Sequence, residues 1–258
     1  MDLTKVLPEE CLSLIISLTS PGDACRLAVV CPALRSAADS DAVWERFLPC
    51  DYKDIISGSS SSLLSWAKKD IYFHLALHPI LIDYGRMSFQ LEKESGKKCY
   101  MLGAKALSIV WGDTSQYWKW KSLPESRFSE VAELKSMWWL EVRGKIETRI
   151  LSSRTNYAAY LVFKLNKHKY GFRDRTVALQ VNVDGTAAGE VRNVLLDPQE
   201  IQQAQNRGDG WSEIKMGEFW NEFGDDGTVE CSLRETHVRF HKQGLIIEGI
   251  ELRPMLPC

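Results

Sequence analysis

Near Met87 the spacing of apolar side chains changes once. Before it they recur every three or four residues, as on an amphipathic helix; after it they alternate, as on a strand. A chain that switches only once cannot build the repeating strand–helix–strand order of a parallel α/β sheet. It predicts an α+β protein, with helices first and an antiparallel sheet domain second. At 258 residues, 45% of them hydrophobic and 26% charged, there is material for two ordinary cores.

The clearest strand is Trp138–Ile150. Trp138, Leu140, Val142, Ile146 and Ile150 share one face, which is the core face. Trp139, Glu141, Arg143, Lys145, Glu147 and Arg149 share the other. Further runs cover Tyr157–Leu165, Thr176–Val183, Val229–Phe240 and Leu245–Leu252, separated by Gly/Asp turns. In Val229–Phe240 the apolar parity changes between Leu233 and Val238, which predicts a bulge. The pattern favours a sandwich or barrel. Trp139 sits among five charged residues, so its ring is either covered by a loop or offered to a ligand. The segment WGDTSQYWKW (111–120) is the candidate loop: Trp111 reads as structural, Trp118 and Trp120 as one wall of a groove. Rings that stack on sugar faces, with carboxylates and guanidiniums beside them to orient hydroxyls, suit a carbohydrate.

The first part reads as short helices. Glu9–Leu18 places Leu12, Ile15, Ile16 and Leu18 in a stripe. Ser20-Pro21-Gly22-Asp23 is a serine cap with proline in the first turn, and the next helix carries Leu27, Val30, Cys31 and Leu34 until Pro32 bends or ends it. Ser40 or Asp41 caps a third, bearing Val43, Trp44 and Phe47. Helices this short bury little surface alone, so one face packs on the rest of the chain or on a partner. Asp51–Ser62 contains SGSSSS and reads as a loop; Leu63–Leu77 reads as a connecting helix stopped by Pro79.

Several functions have no support in these residues. The formal charge is −2, which gives no global basic field for nucleic acid. No apolar run approaches the ~20 residues of a spanning helix, and the N-terminus lacks a basic region followed by an apolar one. The seven cysteines (11, 25, 31, 50, 99, 231, 258) have irregular spacing and no Cys-x-x-Cys, which argues for reduced thiols and no zinc site. His74/His78 and His237/His241 have metal-compatible spacing but no third ligand, so no metal and no cofactor is expected. Asp113, Glu141, Asp209 and Glu213 hold carboxylates enough for a glycosidase pair, but no acid/base signature stands out.

Two resemblances add to this reading. Leu7-Pro8-Glu9-Glu10, Ile15-Ile16-Ser17-Leu18, Asp23-Ala24-Cys25-Arg26-Leu27, Val29-Val30-Cys31 and Asp41-Ala42-Val43-Trp44 look like an F-box, in order from Leu7 to Leu48. After Cys31 that family often has a basic-x-Trp pattern, where this chain has Pro32-Ala33-Leu34. The resemblance implies docking on a Skp adaptor, which links to a cullin, through Leu7, Pro8, Ile15, Ile16, Leu18, Leu27, Val30 and Trp44. The blocks Trp111-Gly112-Asp113, Tyr117-Trp118-Lys119-Trp120, Glu130–Leu134, Trp139–Ile146, Tyr157–Leu165, Asp209–Glu213 with Gly217–Phe219, and Gly244–Pro254 resemble the phloem protein 2 lectins of plants. That implies a jelly-roll-like β-sandwich binding N-acetylglucosamine oligomers or N-glycans without catalysis.

The resulting expectation is an F-box over 1–50, a linker loop and connecting helix over 51–83, and a lectin-like sandwich over 84–258. The function expected is that of a non-catalytic substrate receptor of an SCF-type ubiquitin ligase in the cytoplasm or nucleus. Face geometry nominates Trp139, Glu141 and Arg143, and the loop nominates Trp118 and Trp120, for carbohydrate. The alternative is a lectin-derived adaptor that reads protein targets with no sugar.

Overall fold

Serine and proline punctuate the helical part as their chemistry requires. In the computed structural model, which describes residues 7–59, 62–197, 204–237 and 240–255, Glu9–Ser17 is α1. Its first turn carries Glu9 and Glu10, favourable at the positive end of the helix dipole. Ser20 then caps α2 (Pro21–Leu27), its Oγ accepting from the Asp23 N–H at 3.1 Å. Pro32 does not bend this helix: α2 ends at Leu27, and Pro32 opens a separate α3 (Pro32–Asp39), where its missing N–H costs nothing. The helix bearing Trp44 is therefore the fourth, α4 (Asp41–Phe47). Ser40 is its N-cap residue but makes no side-chain cap bond, and Asp41 instead accepts from the Lys68 N–H at 2.9 Å. The predicted loop contains α5 (Tyr52–Ser57). The connecting helix is shorter than its apolar pattern, a 3-10 turn at Leu63–Ser65 followed by α6 (Lys68–Leu77).

These helices and Phe89–Cys99 belong to one compact unit. Its core centres on Trp44, whose ring lies 5.2 Å from both Tyr72 and Phe73 and 5.6 Å from Phe47. The buried indole N–H is satisfied by the Ala38 carbonyl at 2.7 Å. Tyr72 donates to the Lys93 carbonyl at 3.0 Å, and Lys98 pairs with Asp51 at 2.6 Å.

The strands are β1 (Ile80–Ile82), β2 (Met87–Leu91), β3 (Lys98–Gly103), β4 (Ser108–Ile109), β5 (Trp118–Lys121), β6 (Val131–Leu134), β7 (Leu140–Glu147) and β8 (Thr155–Tyr170). After these come β9 (Val177–Val183), β10 (Thr186–Ala187), β11 (Arg192–Val194), β12 (Gln205–Asn206), β13 (Ser212–Asn221), β14 (Thr228–Glu235) and β15 (Gln243–Pro254). The second unit, from Tyr100 onward with Gly85–Ser88, is an antiparallel two-sheet domain. Its larger sheet runs β3-β15-β8-β13-β12, with β6 also on β15 and β5 on β6. Its smaller sheet runs β10-β9-β14-β7-β4, with β11 on β9. The sheets meet face to face at Gly144 of β7, where a Cβ would stand 3.0–3.1 Å from Leu102, Leu107 and Ile250.

Alternation holds in β7, where Leu140, Val142 and Ile146 are buried between outward Glu141, Arg143 and Lys145. It does not extend back to Trp138. Met137 takes the interior place there, 1% exposed and bridged to Lys242, while Trp138 is 52% exposed. Trp138 is thus surface, not core. The register of β14 on β7 runs unbroken from Thr228 to Glu235; the parity change involves Val238, which lies outside the described residues. The irregularities lie in β13, between Lys215 and Gly217, and in β15.

The outer face of the larger sheet is covered as well. Met101, Phe128, Val131, Val162, Trp211 and Ile246 form a second core there, with Leu123 against it. Two carboxylates of β15 enter this layer and behave oppositely. Burial pushes Glu248 above the usual carboxylate range, against the Arg127 N–H and Ser126 hydroxyl that it accepts from. Burial also disfavours Glu251 as an anion, but Arg207 at 2.6 Å, Arg127 and Arg253 outweigh it and hold it below the usual range. Arg207 also meets Glu213 at 2.9 Å, and Glu213 meets Arg253 at 2.6 Å.

Replacing Arg207 with glutamine leaves two buried carboxylates short of a cation and should cost about 3–5 kcal/mol in urea denaturation. The sign of the pH effect follows from Glu251. Its folded value is depressed, so its contribution is complete above the ordinary carboxylate range and is lost as pH falls through the folded value. Melting curves from about pH 7 down to about pH 3 should show a shallower acid limb in Arg207→Gln than in wild type.

Candidate functional site

The eight helical residues nominated from sequence divide by burial. Ile16 and Trp44 are interior, each 1% exposed, and serve the unit's own core. They cannot touch a partner directly. Leu7 and Leu27 are half-buried; Pro8, Ile15, Leu18 and Val30 are exposed. Leu14 and Val29, not nominated, are exposed too, Val29 at 77%. Leu14 was legible, since it stands four residues before Leu18 on the same helical side. Leu14, Ile15 and Leu18 at the end of α1, with Val29 and Val30 after α2, leave five large aliphatics of one small unit in water. Scattered singly such residues mean nothing; five within seventeen positions need a reason.

On the smaller sheet, Trp139, Glu141 and Arg143 come together as predicted. The Trp139 indole N–H donates to Glu141 Oε2 at 3.3 Å, and Arg143 Nε donates to Oε1 at 2.9 Å. Arg143, with a smaller share from Trp139, holds the Glu141 carboxyl below its ordinary value against partial burial. Sequence reasoning missed Arg234, which stands opposite Glu141 in register, 3.3 Å away, and Glu230, which holds Lys145 at 3.2 Å. Only the strand pairing reveals them. The result is a ring beside a fixed carboxylate and two guanidiniums. It is equipped to stack a flat face and orient hydroxyls.

The other two nominated residues lie on β5, in the larger sheet. Trp118 is 2% exposed, its N–H donating to the Val110 carbonyl at 3.1 Å. It is largely core, yet it lines a shallow cleft of about 280 Å³ together with Trp120, Gly112, Asp113, Lys119 and Lys135. Trp120 is half-buried, donates to the Gly112 carbonyl at 3.0 Å, and carries the Lys105 ammonium 3.8 Å above its ring. Trp111, read as structural, is 50% exposed with φ 53°, its ring 5.3 Å from Tyr117. The backbone N–H of Val110, just before it, donates to the Glu141 carbonyl at 3.1 Å. Of the histidines, His74 and His78 lie ring to ring at 5.1 Å, and burial lowers the His74 pKa with a smaller push from His78. Among the described residues no three potential metal ligands converge, and no helix there is long and apolar enough to cross a membrane.

The chain thus consists of a small helical unit with five exposed aliphatics near its start, followed by a two-sheet domain with an aromatic and charged surface. Comparison with known proteins gives the family. The model described as Phloem protein 2 matches residues 97–254, and the one described as F-box-like matches residues 4–49. The chain belongs to the phloem protein 2 family, in the form that carries an F-box in front. It is similar to the putative F-box protein PP2-B12 of Arabidopsis thaliana, 46% identical over 96% of this chain and 96% of the relative. F-box protein PP2-B10 of the same plant is 44% identical over 96% of this chain and 92% of its own length. Among solved structures, a family 35 carbohydrate binding module from Clostridium thermocellum aligns over 60% of this chain and 96% of that one, at 8% identity and a TM-score of 0.35.

The two tryptophan environments separate in a stability measurement. Trp118→Ala should cost about 3–5 kcal/mol, as expected of a large buried ring. Trp139→Ala should cost about 1 kcal/mol or less. Urea midpoints of the two variants against wild type make the comparison.

Proposed function

We propose that this chain is the substrate receptor of an SCF-type ubiquitin ligase. Its helical unit docks on a Skp-type adaptor, itself joined to a cullin, and its two-sheet domain selects carbohydrate-bearing targets. The observation that carries this reading is the exposed set Leu14, Ile15, Leu18, Val29 and Val30 within the segment that matches the F-box. Helix-borne aliphatics left in water are what a helix-in-groove contact buries. Ubiquitin transfer belongs to other subunits, so the chain itself supplies recognition and no catalytic residue. That work is done in the cytoplasm or nucleus, where its cysteines stay reduced.

The reading is tested by charging the face without touching the core. Ile15→Asp with Val30→Asp should lower co-purification with a Skp-type adaptor at least about tenfold while the melting temperature stays close to wild type. Capture at wild-type yield would remove the basis for the adaptor contact.

For the target, Trp139 with Glu141 and Arg143 supports a carbohydrate. The full chain should bind N-glycans or chitin-type oligomers saturably, and Trp139→Ala should abolish that binding. One observation favours a second reading, in which the domain reads a polypeptide: Trp118 is buried and Lys105 covers the Trp120 ring, so the cleft they line offers no free ring face for a sugar to stack on. Competition separates the two. Free oligosaccharide should release a glycan-bearing target and should leave a protein-read one in place.

A further inference from the structure

The exposed aromatic surface does not end at Trp139. The Trp138 ring lies edge-on to His241 at 5.6 Å, and His241 lies 6.0 Å from Tyr170. Trp138 is 52% and Tyr170 63% exposed, so two ring faces stand open on either side of His241. Tyr170 ends β8, and from there the surface becomes cationic. Tyr170 and His241 line a cleft together with Lys167, Lys169, Arg173 and Arg175.

The carboxylates of this cleft do not match its cations. Among the described residues only Asp174 and Asp197 line it, and Asp197 is engaged by Lys169 at 2.6 Å. Among the described residues no carboxylate lies within ion-pair distance of Lys167, Arg173 or Arg175. In a chain whose formal charge is −2, this positive field is local. One of these unpaired cations is also held in place. The Arg175 guanidinium stacks 3.6 Å from the centre of the Phe240 ring, which fixes its plane and leaves its edge N–H groups free to donate. Phe172, 1% exposed, anchors the turn between them. Gly171, at φ 83°, lets the turn close so tightly on the His241 backbone that a Cβ would stand 2.3 Å from that carbonyl oxygen.

We infer that the ligand of this domain is an acidic oligosaccharide. Its sugar rings lie along Trp138 and Tyr170, and its carboxylate or sulfate is received by Arg173 and Arg175 in the cleft. The inference rests on the carbohydrate reading above and narrows it to a charge class. A phosphorylated peptide would use the cations equally well but leaves the two open ring faces without a role, so the contiguity of rings and cations favours the sugar. Guanidiniums suit either oxyanion, because both present paired oxygens to a planar fork.

The test is calorimetric titration of the full chain, at about 150 mM salt to screen diffuse attraction. The probes are trigalacturonate, the neutral trimer of N-acetylglucosamine, a sulfated trisaccharide and a phosphoserine peptide. Trigalacturonate or the sulfated sugar should bind at least about tenfold more tightly than the neutral trimer; which of the two binds more tightly identifies the anion. Arg173→Gln with Arg175→Gln should erase that preference while affinity for the neutral trimer changes less than about twofold. The charge-matched control Arg149→Gln with Arg192→Gln, both exposed and away from the cleft, should keep the preference. Tyr170→Ala should weaken all three sugars. Equal affinity for acidic and neutral trimers, or equal losses in cleft and control variants, overturns the inference and leaves the carbohydrate reading standing. Binding of no saccharide overturns both. Cleft-dependent binding of the phosphopeptide alone overturns both as well, and assigns the cleft to protein recognition.

Discussion

Burial of β15 on both faces is the constraint on which the two-sheet domain depends. This strand pairs with β3, β6 and β8, and its residues from Gly244 to Leu252 are all buried. A strand covered on both sides ordinarily reads as an unbroken apolar run. Here Glu248 and Glu251 interrupt it, and a carboxylate taken out of water must find donors or give up its charge. Glu251 finds guanidiniums from Arg127, Arg207 and Arg253; Glu248 finds a hydroxyl and a backbone N–H. Satisfying them brings in Ser126 and Arg127 from one segment and Arg207 from another. Phe128 and Trp211, a few positions along, join the outer core. The ion pairs thus fix which segments cover the sheet, and the aromatic side chains fill what lies between.

That coverage decides where recognition can happen. Where the second core covers the larger sheet its face is taken up by packing, and at β5 Trp118 and Trp120 bond to carbonyls and a lysine while lining only a shallow cleft. Among the described residues the smaller sheet has no such layer over β7. Its partly buried Glu141 is fixed by Arg143 and Arg234, and the ring of Trp139 stays partly in water beside this polar pair. Rigidity matters to the proposed contact: a weakly held ligand gains when polar groups need no ordering on binding.

The signals legible in the sequence were those written locally. Ser20 and Pro21 mark a helix start because cap and first turn are adjacent in the chain. The alternation of β7 is legible because one of its faces is core and the other water. Pro32 misleads because a proline that breaks a helix and one that begins the next leave the same trace until the end of α2 is known. Trp138 misleads because the alternation of β7 starts at Leu140 and does not reach back through the bridge at Met137. Trp118 could not be sorted from Trp139 by pattern, since what differs is the surface packed on each sheet. Arg234 and the Arg173–Arg175 cleft depend on pairing between distant strands, and no local periodicity encodes that.

The helical unit follows the opposite economy. Trp44 gathers Phe47, Tyr72 and Phe73 around one indole and so stabilises six short helices that would be marginal alone. With the core concentrated there, the end of α1 and the residues after α2 are free to be apolar outward. Covering Leu14, Ile15, Leu18, Val29 and Val30 is worth roughly 1–2 kcal/mol each, given how much of every side chain is already exposed. Association costs about 4–15 kcal/mol before any affinity appears. Five aliphatics therefore only about offset that cost, and a stable grip on an adaptor must draw in further contacts. In the proposed docking, half-buried Leu7 and Leu27 and exposed Pro8, which border the same segment, are the residues to supply them.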